Sequence, residues 1–379
     1  MTSLSKARDP AAAPAVIADE FRRHGFLPAQ DPCTAFPQGS EFSLLDEIGH
    51  DLPSLLHDKG FRQYAEKLSI PLWPKNRLRT GDLPQLRLYY LRVGFLASAY
   101  INQVGVAPAT HLPANIAVPL VHASRLLGRP PILSYDGYAL YNWKRFQKDG
   151  PIALGNIDTL QNFVHLYDEH WFILVHVEIE AIASQILDGI ERAGIAWDSR
   201  DEESLSQALT DIQGAIREQI TVLRRIPELM DPALYYKTFR RYIRFFENVV
   251  YQGVEQDPIN FRGETGAQSS IMPALVAFMK IPHRPSPLTN HLADMRHYMP
   301  AAHRALIEAI EAMPDIRKRA DRSAYNGVLE AMAVFREVHY GWAQEYIHRR
   351  TEDPRGTGGT PYMQWLAQLI DETYAHRLL

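Results

Sequence analysis

Two histidines on helical stripes are the residues of this chain best placed to do chemistry. His339 lies in the stretch from Ala324 to Tyr346, where Val328, Met332, Phe335, His339, Trp342 and Tyr346 recur every three or four residues and so share one helical face. An imidazole on an apolar stripe must find a partner or stay unsatisfied. A haem iron is one such partner, with Arg336 one turn earlier set to meet a propionate. A neighbouring polar group, as in most core histidines, is the other. His176 shares a face with Phe172 and Glu180 in a second helical stretch. His176-Val-Glu178 also matches half of a non-haem iron triad, but residues two apart on a helix point about 200° apart and do not easily ligate one metal.

Arg240 follows Tyr235, Tyr236 and Phe239 and precedes Tyr242. An arginine one turn from aromatics can clamp a carboxylate beside an aromatic wall, or snorkel into an ordinary ion pair. Gly356-Thr-Gly-Gly-Thr360 lacks the Lys-Ser/Thr of a P-loop and reads as a mobile lid or a linker. The arginines and histidines between His283 and Arg304 read as a solvated face. Cys33 is the only cysteine, which excludes an internal disulfide, a cysteine-based zinc site, an iron–sulfur cluster and a C-x-x-C-H haem attachment. This cysteine usage fits a reducing cytoplasm.

The elements that must position these residues are helical. Of 379 residues, 46% are apolar and 22% charged, the balance of a globular protein. A net charge of −4 argues against a general binder of nucleic acid or of a membrane surface. No stretch has the length to span a bilayer, and Met1 to Pro14 lacks the apolar core of a signal peptide. Periodicity predicts helices over Leu86 to Ile101, Val118 to Leu127, His170 to Ala193 and Asp201 to Ile226. Asp231-Pro232 reads as an N-cap with proline at the first helical position, opening a helix to about Val250. Gly263 to Ser270 reads as a loop. Pro300 opens a helix from Ala301 to Met313, and a last one starts near Tyr362. Pro151 to Asn156 is punctuated by glycine and proline and marks a boundary. The fold class is all-α.

In order, several of these pieces resemble the indoleamine 2,3-dioxygenase family. The stretches are Asn115-Ile-Ala-Val-Pro119, Pro130-Pro-Ile-Leu-Ser-Tyr135 with Asn142-Trp-Lys144, Gly266-Ala-Gln-Ser-Ser270, Asp294-Met-Arg-His-Tyr-Met-Pro-Ala-Ala-His-Arg304, the His339 helix and Gly356-Thr-Gly-Gly-Thr360. They run from about Leu86 to the C-terminus. The resemblance implies a small N-terminal helical domain (1–160) closing the distal side of a large helical haem-binding domain (161–379). It implies haem b, ferrous when active, with O2 as co-substrate, an electron donor to reduce the iron and a cytoplasmic location. It makes His339 the proximal ligand and puts Arg336 near a propionate. It places Tyr135 and Tyr138 in the pocket wall, Phe172 and His176 on the distal helix, and Tyr235, Tyr236 and Arg240 on the substrate side, with Arg240 on the amino-acid carboxylate. Gly266 falls beside the substrate and Thr357 in the closing lid.

The implied reaction opens the pyrrole ring of L-tryptophan or a related indole at C2=C3, giving an N-formylkynurenine-type product. Related alternatives are an indole or aromatic monooxygenase and a non-catalytic haem or small-ligand-binding protein. The best-known members carry serine at His176, phenylalanines at Tyr235 and Tyr236, a small residue at Tyr138 and an acid at Val276. The chamber should therefore be more polar. His176 could accept a hydrogen bond from the indole N–H or interact with O2. With a reference pKa of about 6.5, it should make turnover pH-sensitive around neutrality.

Overall fold

A computed structural model describes residues 16–77, 79–350 and 361–379. Helices dominate, as the periodicity requires. The longest is Tyr167–Ser199. Its buried positions Ile179, Ile182, Ala183, Ile186, Leu187 and Ile190 step by three and four, so one apolar stripe faces the neighbouring Glu202–Leu223 helix. The turn between the two is made by Arg200 in the left-handed region (φ 59°) and by Asp201, whose carboxylate accepts the Ser204 N–H at 3.0 Å. The Arg322–Tyr346 helix packs against the second of these helices. Asp321 caps it by accepting the Ala324 N–H at 2.9 Å.

Two apolar clusters fill the interior. One joins the Leu83–Ile101 and Ala114–Leu127 helices to the Ile132–Trp143 stretch. The other joins the Tyr167–Ser199, Glu202–Leu223, Ile271–Phe278, Ala301–Ala312 and Arg322–Tyr346 helices. Leu154, Val164 and Phe172 pack against both. Burial of such clusters is the main favourable term in folding. No described helix is long and apolar enough to cross a membrane.

Two expectations are corrected. The helix opened by Asp231-Pro232 does start there, with Asp231 accepting the Ala233 and Leu234 N–H groups, but it ends at Lys237. Thr238 (φ −108°, ψ −103°) leaves helical geometry, and a 3-10 turn, Phe239–Arg241, follows. The rest of the expected helix is a strand, Phe246–Tyr251. It pairs parallel to His111–Leu112 and antiparallel to Ile259–Phe261. Long-range pairing overrides local periodicity there. The helix expected from Val118 begins at Ala114 instead. The Ile132–Trp143 stretch contains a π-helical turn at Asp136–Leu140. Gly356-Thr-Gly-Gly-Thr360 lies outside the described residues.

The sheet matters because it delivers the loop that follows it. From Arg262 to Ser270 the chain is tied to the Asp294–Arg304 segment. Arg262 N–H donates to Tyr298 Oη at 2.9 Å and its Nε to Asp294 at 3.2 Å. Ser270 Oγ lies 3.1 Å from His303 Nδ1. The 283–304 segment is therefore more than a solvated face: much of it is a clamp on the loop.

Candidate active site

His339 and His176 sit on the Arg322–Tyr346 and Tyr167–Ser199 helices, close enough for a charge on His176 to act on His339. His339 makes no hydrogen bond to any described residue. Burial, with His176 adding to it, pushes its pKa down to about 4, so the ring is neutral at pH 7. A Cβ at Gly266 would lie 4.0 Å from His339 Nε2 and meet no other atom that near outside its own chain neighbours. A neutral imidazole with a free ring nitrogen, facing a position kept bare by glycine, suits an axial haem ligand. Arg336 is buried one turn earlier. Its Nη1 donates to the Leu369 carbonyl at 2.8 Å and to Thr373 Oγ1. That ties the His339 helix to the Tyr362–Ala375 helix.

His176 differs from His339 in one informative way. Its Nδ1–H donates to the Phe172 carbonyl at 2.7 Å. A carbonyl only accepts, so the neutral ring must carry its proton on Nδ1 and a lone pair on Nε2. Burial lowers its pKa, and the Phe172 bond offsets this only in part. Glu178 points elsewhere and accepts the Leu154 N–H at 2.8 Å, so the His-x-Glu pair forms no metal site. No cluster of three or more metal-type ligands occurs among the described residues.

Aromatic rings line the way from His176 to Arg240. The His176 ring stands 4.6 Å from Phe172 and 6.0 Å, edge-on, from Tyr135. Phe172 in turn meets Tyr138 at 6.3 Å, Tyr235 at 5.6 Å and Phe239 at 5.9 Å. Arg240 is 5% exposed, with its guanidinium carbon 5.2 Å from the Tyr236 ring centre. Burial raises the Tyr235 phenol to about 12, and Arg240 acts on the same phenol in the opposite sense. His176, His339, Phe172, Tyr135, Tyr138, Tyr235, Tyr236, Arg240 and Gly266 thus form one contiguous set. Arg336 stands behind it on the C-terminal side, and Thr357 lies outside the described residues.

The residue pattern does not disclose three buried carboxyls around this set. Glu169 accepts the Phe163 and Val164 N–H groups and the Tyr138 hydroxyl (3.1 Å); burial pushes it up to about 8. Glu180 accepts the hydroxyls of Tyr135 (2.8 Å) and Ser269 (2.6 Å), and burial pushes it up to about 7. Glu264, which burial pushes up to about 8, has no such donors. Of the three, only Glu180 carries a sequence signal, its shared face with His176. Gln268 ties the walls together, accepting the Tyr135 N–H at 2.9 Å and donating to the Gly263 carbonyl at 2.9 Å. A surface hollow of about 530 Å³ is lined by ion-paired Arg22, Asp188, Arg192 and Asp211 and contains none of these residues.

Two neighbouring imidazoles set among aromatic rings between helices could hold a haem. The sequence comparisons agree. The pattern of the indoleamine 2,3-dioxygenase family matches residues 20–376, and the chain belongs to that family of haem-dependent dioxygenases. It is 31% identical to human indoleamine 2,3-dioxygenase 2 over 359 residues, covering 86% of this chain and 87% of the relative. It is also 27% identical to a 6-hydroxytryptophan 2,3-dioxygenase of Fusarium equiseti, over 85% of this chain and 82% of the relative. A protein of Haliotis madaka described as a myoglobin is 25% identical, over 92% and 95% respectively.

Proposed function

We propose that this protein is a haem b enzyme that adds O2 across indole C2=C3 of L-tryptophan or a ring-substituted relative, giving an N-formylkynurenine-type product. The observation that carries this reading is a neutral His339, without a hydrogen-bond partner among the described residues, near a His176 whose Nε2 is an acceptor. His339 would hold the haem and Arg336 would sit toward its propionates. Haem iron, once reduced by an electron donor, supplies the O2 chemistry. The chain supplies binding, orientation and a dry chamber. Residues 1–160 close that chamber in this reading and 161–379 hold the cofactor. Arg240 takes the substrate carboxylate with charge-assisted bonds. Tyr135, Tyr138, Phe172, Tyr235 and Tyr236 wall the indole, and Gly266 leaves it room.

The tautomer of His176 selects between its two possible roles. An Nε2 lone pair accepts the indole N–H; it cannot donate to O2. Without a donor on Nε2, His176 does not assist O–O cleavage, the step that a monooxygenase would need. His176→Leu is expected to weaken L-tryptophan binding about 3–10-fold, the worth of one neutral hydrogen bond. The same change should not weaken an N1-methylated tryptophan, which has no N–H to give. An equal loss for both ligands in equilibrium titrations would refute the acceptor role. The pH expectation is also revised. The folded pKa lies below 6.5, so the acceptor persists at neutrality and is lost only as pH falls below that value.

Mass spectrometry of the product formed from labelled O2 tests the reaction itself. Two labelled oxygens in a ring-opened product are expected. One label would establish a hydroxylase. Haem binding without product would favour the non-catalytic reading that the myoglobin relative keeps open.

A further inference from the structure

Glu264 is 3% exposed, yet its side chain makes no hydrogen bond or ion pair with any described residue. The other two buried carboxyls show what a structural role looks like: Glu169 and Glu180 each accept at least two donors. A buried carboxyl without donors is costly to keep, and such a group invites a functional explanation.

The loop fixes where Glu264 can act. Its backbone N–H donates to the Ile243 carbonyl at 3.1 Å. The preceding Gly263 packs so closely that a Cβ there would fall 2.3 Å from the same oxygen. Two residues later, Gly266 faces His339 Nε2. With the clamp from Asp294–Arg304, these contacts fix the backbone on both sides of the residue. The carboxyl lies near enough to the phenols of Tyr135, Tyr138 and Tyr235 for its charge to act on each. Arg240 acts on that same Tyr235 phenol. One ring therefore has a guanidinium and a carboxyl as neighbours, the two complements of a zwitterion.

We propose that Glu264 receives the α-ammonium group of an amino-acid substrate whose carboxylate lies on Arg240. This rests on the reading of the chamber as the site of a tryptophan-like substrate. Burial keeps Glu264 largely protonated at pH 7. Docking the ammonium favours the carboxylate, so the Glu264 proton passes to solvent as the ion pair forms.

The test is calorimetry on the haem-loaded protein at pH 7 in two buffers of different ionisation enthalpy. The ligands are L-tryptophan and indole-3-propionate, which keeps the carboxylate and lacks the ammonium. L-Tryptophan binding is expected to release a large part of one proton, and indole-3-propionate binding none. In Glu264→Gln, which keeps the shape, the L-tryptophan Kd should rise about 10–100-fold and the proton release vanish. The indole-3-propionate Kd should stay within about twofold. An unchanged L-tryptophan Kd, persistent proton release, or equal weakening of both ligands would overturn the proposal. Failure of the underlying reading looks different: the unmodified protein would bind neither indole, or Arg240→Leu would leave indole-3-propionate binding intact.

Discussion

Replacing His339 with alanine is expected to strip the protein of haem while leaving its helices in place. The ring has no hydrogen-bond partner to lose among the described residues, and its low pKa means that no proton must leave before Nε2 can ligate at pH 7. Alanine is also the better helix former, so the Arg322–Tyr346 helix should keep its far-ultraviolet signature. An outer partner of a metal ligand alone is worth about 10–100-fold in affinity. Loss of the ligand itself should therefore exceed about 100-fold. Titration of the haem-free variant with haem, followed at the Soret band, measures this directly, and added imidazole should partly restore the band. Full retention of haem with an unchanged spectrum would move the ligand to His176, whose Nε2 is also unprotonated.

Arg240→Leu is expected to raise the L-tryptophan Kd about 10–100-fold, because hydrogen bonds to a charged group are worth about 1.5–3 kcal/mol. Binding of indole, which has no carboxylate, should change little. Arg240→Lys should not rescue the loss. A lysine presents a point charge in place of a planar fork and cannot stack on Tyr236 as the guanidinium does. If indole and L-tryptophan weaken alike in equilibrium titrations, the arginine supports the wall and does not bind the carboxylate.

How far these residues could be read from the chain depends on the range of the forces that place them. The faces carrying His339 and His176 follow from a period of 3.6, a local property, and both stretches are helical in the fold. The cap at Asp231 was equally local and correctly placed. Arg240 was expected on a helix and lies in a 3-10 turn, because Phe246–Tyr251 is drawn into a sheet by partners more than 130 residues upstream and eight or more downstream. No window of sequence contains that pairing. The carboxyls divide in the same way. Glu180 is visible as the next turn after His176. Glu264, in Gly263-Glu-Thr-Gly266, has no periodic context, and its burial comes from the clamp provided by Asp294–Arg304. The tautomer of His176 needs only a carbonyl four residues back, but the periodic pattern says nothing of which nitrogen it meets.

The clamp also sets an order of events during synthesis. The loop bearing Glu264 and Gly266 cannot take its final shape until Asp294, Tyr298 and His303 have emerged, and His339 follows later still. Between His176 and His339 lie 163 positions (339 − 176). At roughly 5–20 residues per second, the second histidine trails the first by about 8–33 s. For that interval a nascent chain exposes the aromatic wall without the residue that would anchor a cofactor. Haem supply in the cell thus meets this protein near the end of translation or after it, and shortage would leave a chain whose central chamber is assembled but unfilled.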